Sequence, residues 1–163
     1  MKKQTRMRRM LPVLGCLALL GCAASAKEPA TRVFDAPVLP VVTLQAGMYQ
    51  VAAEVAATPE ARQVGLMHRP ALGEFDGMLF AFPDDAVHCF WMKDTRIPLS
   101  VAFLDSEGTI VTIADMEPFS LASHCPDKPV RYALEMNQGW FAVRGVAEGQ
   151  TIGGLADVPA AKR

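Results

Sequence analysis

Residues 88–105 read HCFWMKDTRIPLSVAFLD, and they decide how the rest of the chain is read. Two aromatics, a methionine and a lysine stand in a row, then an acidic turn, then the apolar run Leu99–Leu104. In an extended segment successive side chains point to opposite sides. Phe90 and Met92 therefore share one face, and Cys89, Trp91 and Lys93 share the other. Such a pattern predicts a strand over Cys89–Lys93 and a second over Leu99–Leu104. Asp105-Ser106-Glu107-Gly108 has the composition of a hairpin turn leading into Thr109–Met116.

Working outward, the same short β rhythm recurs. Val41–Leu44 and Tyr49–Ala56 are parted by Ala46-Gly47, Gly77–Phe82 is a compact apolar run, and Arg131–Asn137 alternates Tyr132, Leu134 and Met136 against Arg131, Ala133 and Glu135. A last strand falls near Gln150–Ile152, after a short turn or helix at Gly139–Val143. Glu117–Pro129 reads as a long loop. Thr58-Pro59-Glu60 combines an N-cap hydroxyl, a proline at the first helical position and an acid in the first turn. It predicts one short helix over residues 59–68 that ends before Pro70 and buries Ala61, Val64 and Met67/His68. The expected fold is mainly β: a single antiparallel β-sandwich or partly open barrel of about 7–8 short strands, without βαβ units.

The first 26 residues read as an export signal. Lys2, Lys3, Arg6, Arg8 and Arg9 precede an apolar run from Met10 to Leu20, shorter than the roughly 20 residues a spanning helix needs. Leu19-Leu20-Gly21-Cys22 resembles a lipobox that would lipidate Cys22. Ala24-Ser25-Ala26 offers the competing cleavage, releasing a soluble protein at Lys27. The lipobox is the preferred reading, and Ala23 then argues for the outer membrane, facing the periplasm. Residues 27–40, with three prolines, read as a linker, 41–155 as the β domain and 156–163 as a tail whose last residues fray.

Five of the 16 basic residues lie in the leader, so the mature chain carries 11 against 17 acids, a net charge near −6. An acidic domain without a basic run has no electrostatic footprint for nucleic acid. Contact with a membrane is expected only through the lipid anchor. Of four cysteines, Cys16 lies in the leader and Cys22 is the lipidation candidate, which leaves Cys89 and Cys125. Two thiols in an oxidising compartment point to a disulfide closing a loop of about 36 residues. A nucleophilic cysteine activated by His88 or His124, each directly before a cysteine, is the weaker reading.

Together these blocks are similar to the domain of unknown function 192 family, small prokaryotic domains that are often exported. Phe90-Trp91-Met92-Lys93 with Thr95, Ile97, Pro98 and Leu99 matches its FWMKNTxIPLDxxFxDxxG signature. Glu54, Thr58, Arg62 and Gly65–Arg69 resemble its ExAxTxxxRxxGLMxR opening. Gly77–Phe80 resembles its GMLF strand, and Leu134-Glu135 with Gly139 its closing LExxxG element. The resemblance implies a compact, mainly β domain and no established activity. The family's asparagine after FWMK is Asp94 here, its acid after IPL is Ser100, and its glycine–aspartate step is Gly149-Gln150, so no catalytic role passes to Ser100.

Trp91, Lys93, Asp94, Arg62, Arg69 and Glu54 are the candidate ligand-binding face. Each also has a packing role open to it: Trp91 capping a sheet edge over the Lys93 stem, the arginines fastening the helix to the sheet through Glu54 and Glu135. Met67, Met78, Met92, Met116 and Met136 with the three histidines could serve Cu(I), but no tight cluster occurs and methionine is a common core filler. No GxSxG, HExxH or phosphate loop is present, and a carboxylate pair drawn from Glu54, Asp94 and Glu135 would serve glycan cleavage only at a suitable separation. The sequence therefore implies a non-catalytic, envelope-associated binding or accessory module for a small-molecule, glycan or protein ligand. No cofactor or metal is expected. A small cell-wall hydrolase and a soft-metal (copper) binding protein are the alternatives.

Overall fold

A computed structural model describes residues 38–163. The export signal, with Cys22 and the Ala26 site, and residues 27–37 of the expected linker lie outside the described residues. Strand β1 (Val41–Ala46) buries Val42, Leu44 and Ala46 alternately and turns at Gly47 into β2 (Tyr49–Ala56), with Ala46 opposite Tyr49. Gly47 has φ +60°, the left-handed backbone that a two-residue hairpin loop requires.

Thr58 caps helix α1 (Pro59–Val64), its hydroxyl accepting the Ala61 N–H at 3.2 Å. The helix ends at Val64 rather than His68. Gly65 takes φ +48°, and a Cβ there would stand 3.0 Å from Phe80 Cζ, so the chain must leave the helix where it passes Phe80. Ala61 and Leu66 are the buried residues of this segment, while Val64 faces out.

Residues 57–75 carry the chain across to β3 (Asp76–Ala86), which runs parallel to β2. The expectation of a wholly antiparallel fold without a βαβ unit is thus corrected at one place. A parallel neighbour needs a crossover of a dozen or more residues, and the α1 segment supplies it. The remaining strands are β4 (Leu99–Leu104), β5 (Ile110–Met116), β6 (Val130–Asn137) and β7 (Ile152–Gly153), with α2 (Trp140–Val143) after β6. The order across the sheet is β5-β4-β6-β3-β2-β1-β7.

The fold is mostly β, one seven-stranded sheet curled into a half-barrel. This is the partly open barrel of the two expected architectures, not the two-sheet sandwich. Just before its outer strands, Thr109 and Thr151 form an antiparallel bridge, and the Ile152 N–H donates to the Gly108 carbonyl at 2.9 Å.

Both faces of the central strands are buried, and every residue of β4 is inaccessible. One layer holds Leu44, Val51, Leu79, Leu104 and Leu134 with Trp140 and Phe141 of α2. The opposite layer holds Met78, Phe80, Val101, Phe103 and Ala133, covered by Ala61 and Leu66 on one side and by Met92 and Ile97 on the other. Met78, Met92, Met116 and Met136 are all fully buried, as core filler.

Segment 89–93 is not a strand. A single bridge, Phe90 to His124, the Met92 N–H donating to the Ser120 carbonyl at 2.9 Å, and the Cys89–Cys125 disulfide tie it to the loop before β6. The alternation holds nonetheless: Met92 is buried, Trp91 and Lys93 are exposed. A ladder cannot extend because the chain turns at Lys93-Asp94, where Asp94 has φ +56°. The end of the tail is held rather than frayed. The Lys162 N–H donates to the Ala57 carbonyl at 2.7 Å, and Arg163 pairs with Asp84 at 3.0 Å.

Candidate functional site

A recess of about 520 Å³ opens on the layer that α1 covers. Phe80 of β3 and Glu135 of β6 line its floor. Arg62 through Met67 form one wall, and Val87 through Trp91 with Thr95 form the other, with Lys93 and Asp94 on the turn. Gly65 lets the first wall approach Phe80. The disulfide at Cys89 fixes the start of the second.

Glu135 is the unusual group. It stands opposite Met78 on β3 and Val101 on β4, in the middle of the sheet, and only 4% of it is accessible. Its carboxyl has no hydrogen-bond partner among the described residues. Burial pushes its pKa up to about 8, so the group is mainly a neutral acid at pH 7. Its oxygens are not sealed from solvent, since among the described residues the one buried side-chain polar atom without a partner is Trp140 Nε1, so the Glu135 carboxyl opens onto the recess.

The aromatic groups are arranged around that acid. Phe80 and Phe90 meet edge to face at 4.8 Å, and His88 stacks on Phe82 at 3.6 Å. Trp91, 52% exposed, stands at the rim with the Lys93 ammonium 5.5 Å from its ring centre. Asp94 occupies a left-handed backbone position, which asparagine and aspartate tolerate better than most residues. That explains why the family's asparagine can be replaced by aspartate here. The Asp94 carbonyl accepts the His68 N–H at 2.9 Å, and the Thr95 carbonyl accepts the Phe119 N–H at 3.0 Å. His68 and Phe119 are left-handed too, so three loops meet at this turn through strained residues.

Of the six expected face residues, Trp91, Lys93, Asp94 and Arg62 line the recess, and Arg69 and Glu54 do not. Arg69 is bound to Glu54 through two hydrogen bonds, at 2.7 and 2.5 Å, and the hydrogen bond with Glu54 raises the arginine pKa against the effect of burial. Arg62 lines the recess but is spoken for. It donates to the carbonyls of Ala57, Ala81 and Lys162 at 2.9, 3.0 and 2.9 Å, and burial lowers its pKa. Neither arginine is a free anchor for a ligand carboxylate.

Glu135 is absent from the sequence-derived face because alternation put it with Arg131 and Ala133 on a supposedly wet side. The available signal was its setting, Leu134-Glu135-Met136, inside a family motif. Ser100 is buried on the other face. Its hydroxyl donates to the Asp115 carboxylate and accepts the Gly139 N–H at 2.8 Å, so it orients the start of α2. The disulfide removes Cys89 and Cys125 as nucleophiles. Among the described residues no three histidine, cysteine or acidic side chains are grouped to hold a metal.

A family model, DUF192, described as "Uncharacterized ACR", matches residues 41–154. This is the family that the FWMK block resembles. A crystal structure from Sinorhizobium meliloti 1021, titled a "putative transcription regulator", is 36% identical, with 70% of this chain and 92% of that chain covered and a TM-score of 0.66. A protein of unknown function from Novosphingobium aromaticivorans DSM 12444 is 27% identical, with 83% and 99% covered and a TM-score of 0.66. No curated protein matches.

Proposed function

The chain belongs to the DUF192 family, and from that premise we propose that it is a non-catalytic binding module of the cell envelope whose recess holds a small ligand. The observation that carries the reading is the Glu135 carboxyl, buried, unpartnered and facing a cavity rimmed by Trp91 and Lys93. A ligand ring would stack on Trp91, and a polar group would reach the acid below. Arg62, Arg69 and Glu54 hold the walls. The net charge near −6 of the mature chain supports a ligand other than nucleic acid. The regulator title therefore stays with the Sinorhizobium protein.

Titration of the purified mature protein with small glycan and peptide fragments, followed by calorimetry, tests the reading. Trp91→Ala should weaken the best ligand at least tenfold. Unchanged binding would remove Trp91 from the site. Anchoring through Cys22 is proposed with it, and intact-mass analysis of membrane-extracted protein should find a lipidated N-terminus there. A mature N-terminus at Lys27 would instead mean the soluble form.

One observation favours a second reading, a wall-fragment hydrolase. Glu135 is held protonated in a recess that Asp94 also lines, the acid half of an acid–base pair. Turnover of wall fragments that disappears in Glu135→Gln would establish it over simple binding.

A further inference from the structure

We propose that the recess selects a primary ammonium group, seated on the Glu135 carboxylate, with an adjoining apolar ring or chain against Trp91. This rests on the reading of the recess as a ligand site and names the ligand's chemistry.

Three kinds of group could meet a buried acid. An anion meets like charge as soon as Glu135 ionises, and shares a proton with it otherwise. A neutral acceptor takes one ordinary hydrogen bond from the protonated acid. An ammonium offers three donors, and its hydrogen bonds to a carboxylate are roughly twice as strong as neutral ones. Deprotonating an acid of pKa about 8 at pH 7 weakens such binding only about tenfold.

The surroundings favour the ammonium as well. Met78 and Val101, the cross-strand neighbours of Glu135, bring no charge. Four charged or titratable groups besides Glu135 line the recess: Arg62, His88, Lys93 and Asp94. The Arg62 donors go to three carbonyls, and Lys93 lies over the Trp91 ring at the rim, so neither neutralises Glu135. Aromatic faces attract cations, and the recess wall contains Phe80, Phe82, Phe90 and Trp91. An acidic mature chain draws cations toward itself. Only a proton moves: the ligand arrives as R–NH₃⁺, the Glu135 O–H bond breaks, and its proton goes to the buffer base.

The experiment compares benzylamine, benzyl alcohol and benzoate by calorimetry on the processed protein at pH 6, 7 and 8, in two buffers of different ionisation enthalpy. Benzylamine should bind tightest, gain about ninefold in affinity from pH 6 to 7 and about fivefold from pH 7 to 8, and release close to one proton at pH 6. Glu135→Gln should abolish the pH dependence, and Lys93→Met, which clears the cation from the Trp91 ring, should tighten benzylamine. If Glu135→Gln fails to fold, proton release by the unaltered protein still decides. Benzyl alcohol or benzoate binding as tightly as benzylamine would overturn the ammonium inference and leave the ligand site standing. No binding of any of the three would also overturn it. The binding reading falls only if the glycan and peptide fragments fail too.

Discussion

Arg69 holds Glu54 in a two-pronged grip, at 2.7 and 2.5 Å, with each side chain about 30% or less accessible. The pair fastens the segment after α1 to strand β2, and so holds the first wall of the recess from outside. Paired, planar and half-buried geometry makes it stronger than an ordinary surface ion pair. Arg69→Ala or Glu54→Ala should each lower stability by about 1–2 kcal/mol, and a double-mutant cycle in urea should show coupling of about 1 kcal/mol. Additive effects would mean that the two side chains do not depend on one another. Benzylamine affinity should change little.

Glu135 makes stability depend on pH in a particular direction. Its folded-state pKa, about 8, lies above the unfolded value near 4.5. The folded protein keeps a proton that the unfolded chain releases. The stability this confers is complete below about pH 4.5 and is lost as pH rises to about 8, by up to roughly 1.4 kcal/mol per unit. Denaturation midpoints across this range should fall with pH for this group, and Glu135→Gln should flatten the curve. A slope identical in the variant would assign the pH dependence to other groups.

Much of this arrangement was legible in the sequence and some of it was not. The apolar run Leu99–Leu104 matches β4 to the residue, and Thr58-Pro59-Glu60 found the start of α1, because both signals are local. Alternation says which side chains share a face but not which strand lies alongside, so the parallel β2–β3 pairing was invisible. The same gap hid the burial of Glu135: β6 lies inside the sheet between β3 and β4, and its Glu135 face looks into the recess that residues from 62–67 and 87–95 enclose. Phe90-Trp91-Met92-Lys93 gave the right inward and outward sides but the wrong element, since its neighbour is a loop held by a disulfide. Two arginines in the expected face turned out to be committed to Glu54 and to backbone carbonyls, partners that only the folded chain brings within reach.

The Cys89–Cys125 bond closes a 36-residue separation. On the chain-entropy estimate its loss should cost about 3–4 kcal/mol. Cys125→Ser, or reduction, should lower the urea midpoint accordingly and weaken ligand binding, because Cys89 lines the recess. Intact mass with and without reductant should differ by two hydrogens.

Gly65 is constrained twice, by φ +48° and by Phe80 Cζ at 3.0 Å from any added Cβ. Gly65→Ala should destabilise by about 1–2 kcal/mol and shift the Phe80 ring. The recess floor would move with it. Loss of benzylamine affinity at temperatures where the variant stays folded, by circular dichroism, is the expected result. Full affinity would show that the ring tolerates the change.

The bridge between Thr109 and Thr151 joins the rim of the curled sheet, and farther along β5 the Ile113 N–H donates to the Glu148 carboxylate at 3.1 Å. A foreign strand seeking to zip onto β5 would find those backbone donors already taken and a negative charge in its path. The consequence is colloidal: many copies held at high local concentration could crowd without templating fibres from one another.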